Sequence, residues 1–404
     1  MWTCRCINCI TPPHLLKKLL ESKNKDIRDA ALSTILTTAR LRGERIVRAQ
    51  LGAAFAQGNG RRTIYDMRRA ADFSAASVAR TEDGPESTDP SVNRAFEGLG
   101  VTRDFYRKVL DRNSIDDRGM RLEGYVHYAE DAQGYNNAYW DGQKMVFGDG
   151  DGVLFTDFTG SLDVIAHELT HGVSEAAAGL VYHKQPGALN ESMSDVFGSL
   201  VKQWNLGQTA AQADWIIGAD IFTPALAGDA LRSLKAPGTA YDSTEMGKDP
   251  QPDHISRYVE LPDTYSGDWG GVHINSGIPN KAFCLAATYI GGYAWEAPGR
   301  IWYAALRASG PTTVFQEFAD ATGAKAEQEF GGGSTEVKAV HDAWREVGIR
   351  VKGSLASRGR GRSVEPARAG QERDPTEVLA KRIEQLAIET KALAREVAQL
   401  KAVK

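Results

Sequence analysis

The amino-acid sequence predicts an α+β protein in which a β-rich lobe is followed by a helical lobe. Short runs of β-branched and aromatic residues, at residues 63–65, 124–128 and 144–148, precede residue 160. Beyond residue 161 the apolar side chains recur mostly at helical spacing. A strongly apolar helix is predicted where the two patterns meet. We therefore expect a cleft between two lobes, with that helix lying along it.

The composition of the chain is that of a soluble globular protein. Its 404 residues are enough for two or three domains, and the net charge of −4 gives no reason to expect nucleic acid or an anionic membrane as a partner. No apolar run approaches the ~20 residues needed to span a bilayer, and the N-terminus lacks the basic and apolar pattern of a secretion signal. We therefore expect cytoplasmic synthesis without a signal peptide, with non-classical secretion as the route if the protein is exported.

The N-terminal part of the chain, residues 1–55, is predicted to be a small helical module. Apolar residues at mixed three and four spacing over residues 14–50 indicate two short helices after Pro12-Pro13. A stretch rich in Gly, Ala and Gln follows at residues 51–63 and is typical of an exposed connection open to proteolysis. A domain boundary is therefore expected there.

The two lobes are predicted over residues 56–160 and 161–350. In the first lobe a helix near residues 89–111 lies between the predicted strands, so we expect a twisted sheet beside a helix. In the second lobe the helical periodicity is interrupted at residues 222–272 by loops dense in Gly, Pro and Asp. The folded unit is expected to stop near Ile349.

The last part of the chain is predicted to be a linker and a terminal helix. Residues 351–373 have the Gly, Ser, Arg and Pro composition of a flexible basic linker. Within residues 374–404, Asp374 and Pro375 are typical of a helix start, and apolar residues then alternate at four and three spacing. These residues are Leu379, Ile383, Leu386, Leu393, Val397 and Leu400. Two interpretations stay open, an amphipathic helix that lies back on the body and a short coiled coil that joins copies of the chain or binds another helix.

The predicted helix at the junction of the lobes contains the pattern His-Glu-Leu-Thr-His at residues 167–171. Histidines four residues apart lie one helical turn above each other, so both rings can reach one metal ion while Glu168 points beside it. Apolar residues at helical spacing predict that the helix is largely buried, and Ser161 is predicted as its N-terminal cap. A helix whose histidines only form hydrogen bonds in the core would have the same pattern. The sequence after the helix distinguishes the two.

A second segment contains the third ligand that a catalytic zinc needs. Glu191 follows His171 after nineteen residues, within the sequence Gly-Ala-Leu-Asn-Glu-Ser-Met-Ser-Asp at residues 187–195. Together the two motifs resemble the thermolysin family of zinc metallopeptidases, whose paired helices carry His-Glu-x-x-His and then Asn-Glu-x-x-x-Asp. The resemblance covers about residues 10–349 and implies a two-lobed thermolysin-like fold. It also implies one catalytic zinc, held by His167, His171 and Glu191.

The resemblance further implies roles for four residues around the metal. Glu168 would take a proton from the zinc-bound water and later pass it to the leaving amine. Tyr182 and His273 would donate hydrogen bonds to the oxyanion that forms on the substrate. Asp268 would orient the ring of His273.

Two polar residues are predicted to orient the histidine ligands. Asp195, one helical turn after Glu191, would accept a hydrogen bond from His167, and Asn190 would support His171. A surface carboxylate without such a role is the alternative for Asp195.

Substrate contacts are also implied by the resemblance. Asn137 and Ala138 would lie on an edge strand that pairs with an extended peptide, and Arg232 would bind the same backbone. The pocket beyond the scissile bond is expected to be apolar, which favours a bulky hydrophobic residue on the amino side of the released fragment. Its predicted lining is Phe155, Phe158, Val164, Ile217, Ile221 and Leu231. Any buried core would contain such residues too.

The sequence departs from the secreted family members at their paired-calcium site. Asp163 and Asp214 match that site, but Lys202 stands where a further carboxylate is expected. A lysine removes an oxygen ligand and adds a positive charge, so we expect no double calcium site and an ammonium that pairs with one of the two aspartates. Thr223 and Asp229 match another calcium loop of the family, which leaves one ion there as an open alternative.

The N-terminal module resembles the short propeptide of the protealysin-like subgroup, which begins close to a Pro-Pro motif, here Pro12-Pro13. The resemblance implies that this segment blocks the cleft until the chain is cut near residues 50–62. Proline next to a metal-bound site is a poor substrate because it lacks an amide hydrogen and fixes its own φ angle.

The four cysteines do not have the distribution of a disulfide framework. Cys4, Cys6 and Cys9 cluster near the N-terminus, and Cys284 stands alone in a helical pattern. The three clustered thiols could supply a thiolate to the catalytic zinc or form a small metal cluster. Plain reactive thiols are the simpler interpretation.

The sequence therefore predicts a zinc-dependent neutral endopeptidase made as an autoinhibited precursor. Its expected partners are peptide or protein substrates, its own propeptide as an intramolecular inhibitor, and a second helix or another copy of the chain at residues 374–404. A zinc aminopeptidase is one alternative. It is disfavoured by the nineteen residues between His171 and Glu191 and by the sequence Asp-Trp-Gly-Gly-Val-His-Ile-Asn-Ser-Gly at residues 268–277, which contains His273 and closely resembles the thermolysin-family motif. The other alternative is a latent or binding module that acts through the C-terminal helix, which an intact Glu168 disfavours.

Overall fold

The computed structural model describes residues 8–50, 60–226 and 230–352. Five predictions fall outside these residues, those for the linker, the terminal helix, Cys4, Cys6 and Asp229. Within the described part of the chain, no helix combines the length and apolar character needed to cross a membrane.

The described residues form ten α-helices and ten strands. The helices are α1 (Pro13–Leu19), α2 (Lys25–Gln50), α3 (Pro90–Leu110), α4 (Leu162–Ala177), α5 (Lys184–Leu206), α6 (Asp268–Asn275), α7 (Gly277–Ile290), α8 (Ala297–Ala308), α9 (Phe315–Phe330) and α10 (Thr335–Glu346). The strands are β1 (Asn8–Cys9), β2 (Arg62–Ala70), β3 (Ser77–Thr81), β4 (Leu122–Tyr128), β5 (Ala138–Trp140), β6 (Met145–Gly148), β7 (Ile216–Ile217), β8 (Arg232–Ser233), β9 (Asp242–Ser243) and β10 (Gly247–Lys248). This arrangement confirms the predicted α+β class, with strands before α4 and mostly helices after it.

The first lobe is built on a six-stranded mixed sheet with the strand order β1-β5-β6-β4-β2-β3. The central strands β2, β4 and β6 run parallel, while β5 runs antiparallel to β6. Along β4, buried and half-buried residues alternate because successive side chains of a strand point to opposite faces of the sheet. The three predicted strands are thus confirmed: those at 63–65 and 124–128 lie within longer strands, and the one at 144–148 begins one residue later than predicted, at Met145.

The predicted helix of this lobe is α3, which packs across β2 and β4. It begins after Asp89, whose carboxylate accepts a hydrogen bond from the Ser91 N–H at 2.8 Å, and Pro90 occupies the first turn, where no amide donor is needed. It ends at Asp111, which adopts the left-handed conformation with φ 51°. Local sequence signals therefore determine both ends of α3.

The helices α4 and α5 pack against each other and connect the two lobes. α4 contacts α3 and β5 on one side, while α5 contacts α6 and α7 on the other. The predicted capping role of Ser161 is wrong, although the residue does precede α4. Its hydroxyl donates to the Asp163 carboxylate at 2.6 Å and accepts no hydrogen bond from the first turn. A fully buried carboxylate is the stronger acceptor, so it competes successfully for the hydroxyl.

The second lobe buries aromatic side chains between its helices. The Trp302 and Trp344 rings stack with centroids 6.2 Å apart, and Phe283 meets Trp302 edge-on at 5.1 Å. The Trp344 Nε1–H donates to Thr322 Oγ1 at 2.8 Å, so the polar atom of this buried indole is satisfied. Burial of each such side chain contributes about 1.5–3 kcal/mol, which anchors α7 to α10 as one unit.

The N-terminal segment, residues 8–50, consists of β1, α1 and α2 and packs on the rest of the chain. The prediction of two short helices is correct for α1 but wrong for α2, which has 26 residues. The apolar periodicity of α2 is lost in its second half, because the face that packs on the first lobe carries polar side chains there. Thr38 Oγ1 lies 3.0 Å from the Tyr135 hydroxyl, and the Arg45 guanidinium donates to the Trp140 carbonyl oxygen at 3.1 Å. Tertiary hydrogen bonds therefore extend the helix beyond the pattern.

Candidate active site

The three predicted zinc ligands meet between α4 and α5. The Nε2 atoms of His167 and His171 are 3.0 Å apart, and the carboxylate of Glu191 lies 3.5 Å from each of them. All three side chains are fully buried. Among the described residues they form one group of ligand atoms within 4.8 Å of one another, which suits a single metal ion.

The two histidine rings are oriented so that their free nitrogens need a cation. His171 Nδ1 lies 2.8 Å from Asn190 Oδ1, and His167 Nδ1 lies 2.8 Å from Asp195 Oδ1, so each ring directs its Nδ1–H to an oxygen. The Nε2 lone pairs then face each other. Burial lowers the pKa of His171 to about 3, which favours the neutral ring that a metal ligand needs. Tetrahedral zinc with bonds of ~2.0–2.1 Å places its ligand atoms about 3.3 Å apart, which fits the donor set.

Two further atoms complete the surroundings of the ligands. Glu191 Oε2 is buried without a hydrogen-bond partner in the described chain, as expected for an atom that binds metal. Ser194 Oγ lies 3.0 Å from His171 Nδ1 and was not found from the sequence. A serine one turn after a ligand has no distinctive signal, because most residues of α5 are buried for packing reasons alone.

Glu168 lies beside this cluster on α4 and faces β5. Its Oε2 accepts a hydrogen bond from the Trp140 N–H at 3.0 Å, while its Oε1 is buried without a hydrogen-bond partner in the described chain. Burial and the nearby Glu191 carboxylate raise the pKa of Glu168 well above its ordinary value. The residue is therefore held in place as an unusually basic carboxylate, which suits a group that accepts and returns a proton.

Tyr182 and His273 form the opposite wall of the cluster. The Tyr182 hydroxyl donates to Glu191 Oε1 and lies 3.3 Å from His273 Nε2. His273 Nδ1 is 2.6 Å from Asp268 Oδ1. Burial would lower the pKa of His273, but the Glu191 and Asp268 carboxylates outweigh it and raise that pKa. His273 Nε2 lies 3.1 Å from the Cys9 carbonyl oxygen, which can only accept, so this nitrogen donates an N–H toward the cleft.

The backbone before His273 is strained, and the strain positions its ring. Four consecutive residues from Asp268 to Gly271 have positive φ angles, between 51° and 80°. A Cβ atom at Gly270 would lie 2.7 Å from Lys184 Cγ, so glycine is required there both for its conformation and for space. Asp268 closes the turn, since its Oδ2 accepts from the His273 N–H at 2.8 Å. The Gly-Gly pair was the sequence signal for this turn.

Arg232 and Asp195, predicted for separate roles, are directly connected. Arg232 Nε donates to both carboxylate oxygens of Asp195, at 2.8 and 3.0 Å, and Asn280 Nδ2 donates to the same carboxylate at 2.8 Å. Burial would raise the pKa of Asp195, but Arg232 and His167 hold it well below its ordinary value. The alternative of Asp195 as a surface carboxylate is therefore wrong, because the residue is fully buried. Asn280 was not anticipated, since nothing local marks it.

The predicted edge strand is occupied by the chain's own N-terminal segment. β1 pairs antiparallel with β5, with Asn8 opposite Trp140 and Cys9 opposite Tyr139. Beyond β1, the Thr11 N–H donates to Asn137 Oδ1 at 3.0 Å. Residues 8–11 therefore lie where an extended peptide substrate was expected to bind.

Pro12 and Pro13, the predicted inhibitory motif, are placed differently from the residues that contact the cluster. Pro12 is the N-cap of α1 and Pro13 its first residue, and the Pro12 carbonyl oxygen accepts from the N–H groups of Leu15 and Leu16. Proline has no amide hydrogen and cannot continue the ladder with β5, so the chain turns into a helix there. The contacts with the predicted catalytic side chains come from residues 9–11.

The six predicted pocket residues are all buried, and they belong to one continuous apolar cluster. Phe155 and Phe158 stack with centroids 5.7 Å apart. Ile10 of the N-terminal segment belongs to the same cluster and is fully buried. The cluster also continues into the general core, as the alternative interpretation anticipated. All seven residues, Phe155, Phe158, Val164, Ile217, Ile221, Leu231 and Ile10, are members of that larger core.

The predicted lysine replaces a cation at the start of α4. Lys202 Nζ lies 3.1 Å from Asp163 Oδ2 and 2.9 Å from Asp214 Oδ2, so its ammonium pairs with both aspartates. Thr223 Oγ1 donates to the Val153 carbonyl oxygen at 2.7 Å. Calcium at Thr223 and Asp229 stays a prediction, because Asp229 lies outside the described residues.

Cys9 is not placed as a metal ligand. Its thiol is fully buried, and burial, which outweighs the nearby Arg42, raises its pKa to about 12. The metal-ligating group of the described chain consists of His167, His171 and Glu191 without it. A Cys9 thiolate on zinc therefore has no support, because the thiol is neutral and lies outside the group.

Comparisons with known proteins agree with this geometry. Residues 53–175 match a family model described as thermolysin metallopeptidase, catalytic domain, and residues 178–349 match one described as thermolysin metallopeptidase, alpha-helical domain. An extracellular metalloprotease of Pectobacterium carotovorum subsp. carotovorum is 44% identical over 350 residues, which cover 86% of this chain and 98% of that protein. Protease PrtS of a Photorhabdus strain is 41% identical over 350 residues, covering 85% and 92%. The solved precursor of protealysin from Serratia proteamaculans superposes with a TM-score of 0.75 at 44% identity, covering 85% of this chain and 99% of that one.

Proposed function

The chain belongs to the thermolysin family of zinc metallopeptidases, and we propose that it is a precursor whose N-terminal segment occupies its own substrate cleft. After maturation it hydrolyses peptide bonds on the amino side of bulky hydrophobic residues. One observation carries the proposal: the three zinc ligands, the basic Glu168 and the donor His273 converge on one buried point at the edge of β5.

The protein side of the reaction follows from this geometry. His167, His171 and Glu191 would hold the zinc, which would supply a water of lowered pKa and a Lewis acid for the scissile carbonyl. Glu168 takes the proton of the attacking water and returns it to the leaving nitrogen, for which its raised pKa suits it. His273 donates from Nε2 to the developing oxyanion, and Asp268 keeps that nitrogen protonated.

The substrate backbone is held on both sides of the metal. The β5 edge pairs with an antiparallel peptide. On the carboxyl side of the scissile bond, Asn137 binds the N–H of the next peptide unit, and Arg232 binds the carbonyl oxygen of that same unit. The apolar cluster around Leu231 favours a large aliphatic or aromatic residue, because each buried CH₂ contributes about 0.8 kcal/mol. Pairing with β5 continues past the metal to Asn8, so a chain extends in both directions. This supports an endopeptidase and not an aminopeptidase.

The N-terminal segment is also held by contacts that α1 and α2 make. Arg45 donates to Glu175 at 3.0 Å, and His14 Nε2 lies 3.1 Å from the Tyr241 hydroxyl. The Arg42 guanidinium stacks 4.9 Å from the ring centroid of Tyr265. Activation therefore requires loss of the whole segment, with a cut in the connection at residues 51–63.

Zinc-dependent proteolysis is tested with the full-length chain, allowed to mature and then assayed on casein. Activity is expected to appear as the N-terminal segment is lost, to stop on addition of a zinc chelator and to be absent in Glu168→Gln. A wild-type protein that binds stoichiometric zinc, sheds its N-terminal segment and still cleaves nothing more than Glu168→Gln would refute the proposal.

Location and assembly are further parts of the proposal. The name extracellular metalloprotease of one relative supports export of this chain. The heptad pattern at residues 374–404 supports a helix that joins copies of the chain or binds a partner. Fractionation of cells that express the chain tests the first, and chromatography of a truncated chain tests the second.

A further inference from the structure

The N-terminal segment lies in the cleft in the direction of a substrate. β1 runs antiparallel to β5, and the Ile10 N–H lies 3.3 Å from the Ala138 carbonyl oxygen, so residues 8–10 extend the sheet by one strand. Antiparallel addition to an edge strand is how an extended peptide binds to a sheet. The segment therefore has a defined register against the catalytic residues.

That register places one peptide bond at the catalytic groups. On its carbonyl side, the Cys9 oxygen accepts from His273 Nε2 at 3.1 Å. On its amide side, the Ile10 N–H lies close enough to the Glu168 carboxylate to lower the pKa of that group. The atom that becomes the oxyanion thus meets its donor, and the nitrogen that must receive a proton meets the group that delivers it.

The next contacts along the segment agree with the same register. Arg232 Nη1 donates to the Ile10 carbonyl oxygen at 3.2 Å, and Asn137 Oδ1 accepts from the Thr11 N–H at 3.0 Å. A shift by one residue would turn every one of these groups to the opposite face of the strand. The side chain of Ile10 is fully buried in the apolar core to which Leu231 also belongs, and it is a bulky apolar residue of the kind expected after the scissile bond.

We propose that the precursor hydrolyses its own Cys9–Ile10 peptide bond and that the cut chain stays latent. The proposal rests on the proposed function of the same site. Water adds across the bond: its oxygen forms a bond to the Cys9 carbonyl carbon, the carbon–nitrogen bond breaks, and Glu168 passes the water proton to the Ile10 nitrogen. The products are a carboxylate at Cys9 and a new amino terminus at Ile10.

The two products are held to very different extents. On the Cys9 side of the cut, the pairing of the described chain is limited to the two residues of β1. On the Ile10 side, the new amino terminus lies beside the Glu168 carboxylate. Downstream, Thr11 Oγ1 donates to the Asn136 carbonyl oxygen at 2.9 Å, and α1 and α2 keep their contacts. Residues 1–9 therefore leave, and residues 10–50 continue to block the cleft.

The test follows the full-length zinc-loaded chain by intact mass and casein hydrolysis, with Glu168→Gln as control. Residues 1–9 are expected to be lost from the wild type at a rate that does not depend on protein concentration, without casein hydrolysis until residues 10–50 are lost too. In Glu168→Gln the N-terminus stays whole. Maturation that releases a segment still carrying residues 1–9 would overturn the proposal while leaving the peptidase function intact. Full casein activity immediately after the first cut would overturn latency, and absence of both cuts and of casein hydrolysis would refute the function itself.

Two further measurements do not depend on catalytic turnover of an added substrate. Cys9 is 1% exposed, so in Glu168→Gln its alkylation by iodoacetamide should be blocked, whereas the fragment released from the wild type should be alkylated at Cys9. Ile10→Asp should slow the cut on the order of 100-fold, because it places a charge in an apolar site, whereas Ile10→Leu should be cut like the wild type. Cleavage of Ile10→Asp at the wild-type rate, or free alkylation of Cys9 in Glu168→Gln, would contradict the assigned register.

Discussion

Replacement of Lys202 by methionine is predicted to destabilise the folded chain. The ammonium lies 3.1 Å from Asp163 and 2.9 Å from Asp214. Asp163 is fully buried while the Asp214 side chain is 47% exposed, so the substitution leaves one buried carboxylate without its cation. Loss of one partner of a buried pair costs about 3–5 kcal/mol. Asp163 keeps hydrogen bonds from the Ser161 hydroxyl and the Gly218 N–H, which places the expected loss near about 3 kcal/mol and the fall in Tm near about 5–10 °C.

Thermal unfolding followed by circular dichroism measures this loss, with Glu168→Gln as the parent so that self-digestion does not interfere. Lys202→Arg keeps the charge and should lose less. Lys25→Met removes an exposed ion pair with Asp29 one turn away and should leave the unfolding temperature almost unchanged, because water screens that pair. Added calcium should stabilise Lys202→Met more than it stabilises the parent, since two carboxylates then lack a cation. If Lys202→Met and Lys25→Met unfold at the same temperature, the ammonium does not replace a cation in the way argued.

Four other predictions follow from the site and its surroundings. Glu168→Gln should reduce kcat/KM on peptide substrates by roughly 10²–10⁴-fold with unchanged zinc content by metal analysis, and loss of the zinc would instead indicate a structural role. Asp195→Asn should weaken zinc binding about 10–100-fold in chelator competition, because it loosens the ring of His167; an unchanged affinity would contradict the role of that contact. Burial lowers the pKa of His14 to about 4, so the undocked segment binds more protons and docking should weaken by about 1.4 kcal/mol per pH unit below about 6.5. Hydrogen exchange of α1 in the Glu168→Gln protein should therefore rise as the pH falls toward 5, and His14→Gln should abolish this dependence; a dependence that persists would place the titrating group elsewhere. Truncation after Gly353 should reduce the oligomeric state on a sizing column if residues 374–404 form a coiled coil, and an unchanged elution would refute that proposal.

The elements that local patterns determine were predictable. Asp89 and Asp111 flank α3 at its two ends. The first caps the helix with its side chain and the second adopts a left-handed conformation, and each effect involves only residues within a few positions of that end. The zinc ligands were equally accessible, since histidines four apart on a helix share a face and a glutamate at a defined interval completes the set. By contrast, α2 extends beyond its apolar pattern because Thr38 and Arg45 form hydrogen bonds with the β-rich first lobe. These partners are about a hundred positions away in the sequence, so the local pattern does not reveal them.

The residues that orient other side chains were harder to predict from the sequence. Asn280 and Ser194 act through Asp195 and His171, and a buried amide or hydroxyl has the same sequence signature whether it supports a ligand or satisfies a core hydrogen bond. The sequence identified Pro12 and Pro13 as a motif, but only the structure shows that they start α1 directly after β1.

The sequence by itself predicted the chemistry of this protein: the three side chains that form the metal-binding group, Glu168 as the residue proposed to move the proton, and an ammonium at Lys202 that pairs with an aspartate. These features depend on residue types at helical or motif spacing, which are encoded within short stretches of chain. Only the tertiary structure decided which peptide bond of the N-terminal segment lies at the catalytic groups. That choice depends on the register of β1 against β5, and register is determined by contacts between residues more than a hundred positions apart, with Ile10 buried in one pocket and the Cys9 carbonyl oxygen at His273.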